Sequence, residues 1–449
     1  MRFNKSEHED AARSSRREFV AAGGAAMAGL GLAGKAVANP ARISLAMDGG
    51  PKTVTVPDAE YSALTKWPRL GQAEKDAIGG LIDRNRYYDE LPRLEKDWRA
   101  YFGAKYVKSH FNCTSALTSM FFALDLPKGS EIMVPTYTFF ATVAPMWLFG
   151  YVPIFVDSDP ETCCFDLADA KRKLTKRTRA MAPMHAWGLP CEMDHILEFG
   201  KQHGVVVLED AAQAVGASMQ GKKMGMWGEV GTFSMQASKV LPSIEGGMAI
   251  YRTERLYERA AAYGHYKAPP TFPESSPYHK YGGTGFGQKL RMHPFAAAVA
   301  RTQLRIHDER SALVRAHVGR VNQRLLELPG LSEPRRRPDQ ERVYYSGNMV
   351  FLDEAKAGFS RNALVKALRA EGVRARTWDY PLQHRFQMYS EAKWWHHAPE
   401  IPESMPGAEE VNRKHIFLPL LYEEHRELED QTVKAFEKIW ANRDKLVIG

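Results

Sequence analysis

Cysteine is scarce, at four in 449 residues, too few for a disulfide-built scaffold. Cys163 and Cys164 are adjacent while Cys113 and Cys191 are remote, so no C-x-x-C pair points to zinc or dithiol redox chemistry. Glycine, at 35 residues, lies far below the one-third that collagen requires. The mildly apolar stretch 21–33 is too short and too glycine-rich for a spanning helix, which needs roughly 20 residues. Global disorder is excluded too, because aromatics make up 11% and apolar residues 44% of the chain. What is present is a large globular chain, with length for two or three domains at roughly 100–200 residues each.

Positive charge is in modest excess. Residues 1–38 carry six basic side chains (Arg2, Lys5, Arg13, Arg16, Arg17, Lys35) against four acidic ones (Glu7, Glu9, Asp10, Glu18). That segment takes +2 of the net +8 and leaves +6 for the 411 residues that follow. Such a charge draws anionic ligands to a cleft. It is too diffuse for a nucleic-acid face: the densest cluster, Arg335-Arg336-Arg337, is short, bracketed by Pro334 and Pro338, and reads as a solvated loop.

The N-terminus reads as an address label. Ser15-Arg16-Arg17-Glu18-Phe19-Val20 is a twin-arginine pair before an aromatic and an aliphatic residue, and Ala36-Val37-Ala38 is a small-x-small cleavage site. This layout predicts a twin-arginine signal over residues 1–38, cut after Ala38, and an exported, periplasmic protein. Gly29-Leu30-Gly31-Leu32-Ala33-Gly34 matches the dinucleotide pattern G-x-G-x-x-G only by accident, since no strand precedes it and no helix follows.

From about residue 100 to 255, short apolar runs alternate with amphipathic stretches of helical length. Strands are expected at 131–135, 153–157, 179–184, 205–209, 231–235 and 247–251, with helices at 115–124, 193–203 and 254–263. That alternation predicts an α/β domain with a mainly parallel sheet, and ligands in such sheets bind beyond the carboxyl ends of the strands. A Pro/Gly-rich loop is expected over 267–287, then one long helix over 294–328. A smaller α+β region closes the chain, with a strand at 347–352 and helices at 361–370 and 430–445.

The chemistry concentrates at strand ends. Val205-Val206-Val207-Leu208-Glu209-Asp210 delivers Asp210 to the end of a buried strand, with Gln213 three residues on. Thr232-Phe233-Ser234-Met235-Gln236-Ala237-Ser238-Lys239 places a lysine after another strand. Pyridoxal phosphate (PLP) chemistry needs such a pair: the lysine bonds the cofactor aldehyde, and the acid keeps the pyridine nitrogen protonated. Taken alone, a lysine and an aspartate at strand ends are most often solvated surface residues. Asn112-Cys113-Thr114-Ser115-Ala116-Leu117 opens a helix, and reads either as a phosphate cradle or as an ordinary N-cap. Val134-Pro135-Thr136-Tyr137-Thr138-Phe139 puts aromatics past a strand, for stacking on a planar group or for core packing.

In this order, the four segments resemble the DegT/StrS-type family of PLP-dependent sugar aminotransferases. The resemblance runs from about Leu45 to Ile439. It includes Asp48-Gly49-Gly50-Pro51, Phe155-Val156-Asp157-Ser158-Asp159, Met184-His185-Ala186-Trp187-Gly188, Glu245-Gly246-Gly247, Arg291-Met292, Glu371-Gly372-Val373 and Leu418-Pro419. It implies the aspartate-aminotransferase-like fold (type I), with a mainly parallel-sheet large domain and a smaller α+β C-terminal domain. The implied order is a signal at 1–38, an N-terminal segment at 39–95, a PLP-binding domain at 96–293, and the long helix and small domain at 294–449.

By the same resemblance, Lys239 bonds the cofactor and moves the proton, Asp210 pairs with the pyridine nitrogen, and Gln213 bonds the phenolic oxygen. Phe139 stacks on the ring, and Thr114, Ser115 and Ser234 hold the phosphate. Lys289 stands where many members carry an Asn that reaches the phosphate of the neighbouring subunit, which implies a homodimer with shared sites. Glutamate or glutamine is the implied amino donor and a keto-sugar or keto-cyclitol the acceptor. Lys239 argues against the family's dehydratase branch, where a His stands in its place.

The chain departs from the family in two places. Asn112-Cys113-Thr114 replaces the usual Ser-Gly-Thr, and a positive φ at the middle residue would strain Cys113. Gln236 and Ala237 stand where a His is usual before the lysine, which alters the floor of the site. His185, Tyr380 and His384 are read either as substrate contacts or as structural residues. Trp394-Trp395-His396-His397 reads as a surface insertion, and no metal is expected. Two further readings stay open: a PLP enzyme of elimination or racemisation type, and an exported non-catalytic binding protein on the same scaffold.

Overall fold

The computed structural model describes residues 43–446; the segment read as an export signal lies outside them. The strands are β1 (Tyr106–His110), β2 (Glu131–Pro135), β3 (Val152–Val156), β4 (Thr178–Met181), β5 (Val206–Asp210), β6 (Ser218–Met219), β7 (Lys222–Lys223), β8 (Val230–Ser234), β9 (Gly247–Tyr251), β10 (Leu331–Ser332), β11 (Gln340–Glu341), β12 (Asn348–Leu352) and β13 (His415–Leu418). Seven form the main sheet, in the order β1-β9-β8-β5-β4-β2-β3. Pairing is parallel from β8 through β3, and β9 runs antiparallel to both its neighbours. Helices cover both faces of the sheet, so its inner strands are buried throughout: β2, β8 and β9 bury every residue.

Local sequence explains most boundaries. Asn112 caps the helix Cys113–Leu124 by accepting the Ser115 N–H at 2.9 Å, and Thr253 caps Glu254–Ala262 in the same way. The expected single helix over 294–328 is instead two, Pro294–Arg305 and His307–Leu325. Ile306 leaves helical geometry between them (φ −106°, ψ 4°). The break lets the His307 ring bond the Val215 carbonyl at 2.9 Å. The last helix runs Arg426–Ala441, starting four residues before the expected 430, because the His425 ring caps it by accepting the Leu428 N–H. The expected loop over 267–287 contains three single 3-10 turns.

The N-terminal segment divides its packing. Leu45, Val54, Tyr61 and Leu64 join the core of the C-terminal region, against Phe359, Leu368 and Phe436. Leu91, Leu94 and Trp98 join the core under the main sheet. The C-terminal region is also fastened to the strand ends. Asp157, one residue past β3, accepts the N–H groups of Gly407 and Ala408, both at 2.8 Å, at the start of the helix Pro406–Lys414. A carboxylate there also meets the positive end of the helix dipole. Gln383 crosses the end of β2, donating its N–H to the Thr136 carbonyl at 2.8 Å and its amide to the Thr138 carbonyl at 2.7 Å.

Candidate active site

Side chains alternate faces along a strand, and at the end of β5 this separates two neighbouring carboxylates. Glu209 is fully buried and accepts four bonds: N–H groups of Trp227 and Gly228 at 2.6 Å, Gly225 at 2.7 Å, and the His185 ring at 3.1 Å. It is a structural pin. Asp210 turns to the carboxyl end of the sheet, where Oδ1 accepts the Ala212 N–H at 3.0 Å and Oδ2 the Thr142 hydroxyl at 2.6 Å. Thr142 also meets the Thr138 hydroxyl at 2.7 Å. The turn carrying Phe139 is thus tied to Asp210. Phe139 itself is 54% exposed, with Phe140 beside it, so one ring face is open to a planar partner.

Lys239 follows β8, the parallel neighbour of β5. Its Nζ lies 3.3 Å from the Tyr345 hydroxyl and 4.3 Å from that ring's centroid. Tyr345 stacks on Trp187 at 5.8 Å, and Tyr380 and Trp378 pack edge-on against the same indole. Trp187 adopts φ +53°, a left-handed conformation that costs a bulky residue energy and survives only where its surroundings enforce it. The gain is directional. The Trp187 N–H donates to Gln213 Oε1 at 2.7 Å, which fixes the amide and turns Nε2 toward the Tyr380 hydroxyl, 3.4 Å away. Burial, followed by the charges of Tyr345 and Asp210, pushes the Tyr380 hydroxyl well up from its usual range, so it stays protonated.

At the start of the helix Cys113–Leu124 the chain passes directly over Gly247. A Cβ there would meet the Asn112 carbonyl oxygen at 2.3 Å and its carbon at 2.4 Å. Cys113 is helical rather than at positive φ, so the departure at this position carries no backbone strain. Asn112 Oδ1 takes both the N–H and the hydroxyl of Ser115, each at 2.9 Å. Ser115 therefore serves the N-cap, and its hydroxyl proton is spent there. Thr114 stands half-buried in the same turn, and Ser234 ends β8 with its hydroxyl accepting only a 3.4 Å bond from Gln236 N–H.

Three residues stand apart from this cluster. His185 is fully buried with both nitrogens in use, Nε2 on Glu209 and Nδ1 accepting the Cys191 N–H at 3.0 Å. Of its two readings the structural one holds. His384 is buried, bonds the Thr136 hydroxyl through Nδ1 at 2.6 Å, and keeps Nε2 without a partner among the described residues. Burial holds its pKa below the usual value. Lys289 is exposed and makes no ion pair among the described residues. Sequence reasoning passed over Thr142, Tyr345 and Trp187 as site residues. The hydroxyl of Thr142, four residues after Thr138 in the turn beyond β2, was the one legible sign among them.

The donor set fits PLP. Asp210 offers a fixed buried carboxylate, Gln213 an amide donor of set orientation, and Lys239 an amine beyond the adjacent strand β8. The Gly247 crossing presents a helix N-terminus to an anion. Comparison with known proteins agrees. The signature of the DegT/DnrJ/EryC1/StrS aminotransferase family matches residues 72–437. A GDP-perosamine synthase of Caulobacter vibrioides is 31% identical, over 70% of this chain and 84% of that protein. An L-glutamine:2-deoxy-scyllo-inosose aminotransferase of Streptoalloteichus tenebrarius is 31% identical, over 68% of this chain and 75% of that protein. In fold, an aminotransferase from Psychrobacter cryohalolentis superposes with TM-score 0.75 at 24% identity, covering 84% of this chain and 99% of that one. The chain belongs to the DegT/DnrJ/EryC1/StrS aminotransferase family.

Proposed function

We propose that this PLP-dependent aminotransferase moves an amino group from glutamate or glutamine to a keto-sugar or keto-cyclitol. The observation that carries the reading is Lys239 held against Tyr345, with Asp210 and Gln213 fixed on the adjacent strand end. When bound, the cofactor supplies an electrophilic aldehyde and an electron sink. The chain's own residues then have defined tasks. Asp210, anchored by Thr142 and Ala212, holds its carboxyl group at the buried position where a protonated ring nitrogen would pair with it. Gln213 presents N–H to an oxyanion, Phe139 covers one ring face, and Thr114 and Ser234 offer hydroxyls to a phosphate. Lys239 moves the proton as a base, with the Tyr345 hydroxyl holding its Nζ when it is free. The acceptor class is supported by relatives whose names specify a perosamine product and a 2-deoxy-scyllo-inosose acceptor.

The test is the visible spectrum of the purified protein before and after adding each donor, beside Lys239→Ala. A cofactor band that needs Lys239 and is converted by glutamate or glutamine is the expected result. A band indifferent to every amino donor would move the assignment to another PLP reaction.

Export belongs to the same proposal, supported by Arg16-Arg17 and Ala36-Val37-Ala38. The periplasmic fraction is expected to hold a chain starting at Asn39. Arg16→Lys with Arg17→Lys is expected to leave the uncut chain in the cytoplasm. Export is refuted if wild type stays there too.

A further inference from the structure

Beside Lys239 a small recess is lined by Trp67, Ser238, Arg310, Tyr345, Ser346 and Tyr422. Tyr345 connects it to the reacting amine, since its hydroxyl lies 3.3 Å from Lys239 Nζ. Trp67 and Tyr422 stack at 4.4 Å and form one wall.

One guanidinium, Arg310, lines this recess, and a second, Arg376, stands behind its Ser346 wall. Arg310 donates to Gln303 Oε1 at 2.7 Å and to the Val240 carbonyl at 3.1 Å, and lies 4.7 Å from the Trp67 ring centroid. Arg376 donates to the carbonyl of Ser346 and, at 2.6 Å, to its hydroxyl. Among the described residues neither forms an ion pair. Other partly enclosed arginines do: Arg301 pairs with Glu90 and Asp97, and Arg320 with Glu429. Enclosing a cation without its counter-charge is costly, and burial pushes the Arg310 pKa down to about 10. Each guanidinium has five N–H donors, and Arg310 spends two of them on neutral oxygens. The planar remainder matches a carboxylate.

We propose that this recess, with Arg310 as its cationic wall and Arg376 behind Ser346, holds the α-carboxylate of the amino donor. The inference rests on the aminotransferase reading above. In an α-amino acid one carbon separates amine from carboxylate, so an amine delivered to the Lys239 position brings its carboxylate beside Tyr345. Ser238, Ser346 and Tyr422 add hydroxyls around the two cations. The stacked Trp67–Tyr422 wall restricts the recess to a small anion and disfavours a diphosphate. Arg310 and Arg376 are thus specificity residues for the donor half of the reaction.

The experiment titrates PLP-loaded protein with glutamate and glutamine, following cofactor absorbance, in wild type, Arg310→Gln, Arg310→Lys and Arg376→Gln. Half-saturating donor is expected to rise about 10- to 100-fold in the two Gln variants, with partial recovery in Arg310→Lys. The cofactor band before donor, which reports an intact Lys239 site, is expected to be unchanged. Should a Gln variant lose that band, Arg310→Lys decides alone, and an unshifted titration there counts against the proposal. Unshifted titrations in variants with intact bands overturn it while the aminotransferase reading stands. Wild-type protein that converts with no donor sinks both. Inorganic pyrophosphate is run as a competitor: Arg310-dependent binding of it, with donor titrations unmoved, would reassign the recess to the acceptor's phosphate and overturn the donor assignment.

Discussion

At the scale of single residues, Glu209 and Asp210 show how chain neighbours acquire unrelated duties. Glu209 is the only acceptor given to three backbone N–H groups, and an amide in its place offers one oxygen and two unwanted donors. Glu209→Gln is therefore expected to cost about 3–5 kcal/mol, read as a lowered urea midpoint, while Asp210→Asn leaves the midpoint nearly unmoved and removes activity. Equal midpoints for the two would refute the division. Asp210 stood out in the sequence as a polar residue closing an apolar strand, whereas the roles of Gln213 and Lys239 were implied by the family resemblance. Tyr345 and Trp187 did not stand out, since an aromatic residue near apolar neighbours reads as core until its partners are known. Arg310 was equally silent: on a helix a lone arginine reads as solvated, and only the enclosure by Trp67 and the chain at Val240 makes it otherwise.

Among the elements, the junction of β9 with the helix Cys113–Leu124 is an exacting one. Gly247→Ala would drive a methyl into the Asn112 carbonyl, so the helix start must move off the sheet. A loss of PLP affinity of at least 10-fold is expected, together with a lower melting temperature. Unchanged affinity, measured by fluorescence quenching on PLP titration, would show that the crossing does not shape the phosphate end. Strand positions read well from sequence, because buried parallel strands are short apolar runs. The break at Ile306 did not, because it goes with a bond from His307 to Val215, 92 residues away, which no local periodicity carries.

Buried histidines add a pH dependence at this scale. His110 lies between the Tyr251 hydroxyl and His265, and burial, helped by Lys108, pushes its pKa down to about 3 from 6.5. Burial, with Arg310 assisting, pushes His307 down to about 4. Both stay neutral in the fold while the unfolded chain binds protons below about 6.5. Stability is then unaffected by these groups above pH 7.5 and falls as pH drops from 6.5 to 4, by about 1.4 kcal/mol per unit for each histidine. Denaturant melts between pH 8 and 4.5 test this, and His110→Asn is expected to make the slope shallower by one histidine's share.

For the whole molecule, we infer a homodimer in which Lys289 reaches the neighbouring site, because Lys289 makes no ion pair among the described residues and the aromatics Phe111, Tyr88 and Phe286 are exposed. Light scattering is expected to give twice the mass of one chain. Lys289→Ala is expected to weaken PLP binding without dissociating the dimer, and a monomer with full PLP affinity would refute the arrangement.

The fastening of the C-terminal region sets the character of catalysis. Asp157 grips the helix Pro406–Lys414, and Gln383 straddles the exit of β2. These bonds lie on the rim that a jaw would have to swing past. Opening it would break the two charge-assisted bonds to Asp157, worth about 1.5–3 kcal/mol each, and the two neutral bonds of Gln383, worth about 0.5–1.5 kcal/mol each. The site is accordingly expected to behave as a socket cast during folding, selecting its guests by outline more than by closure around them.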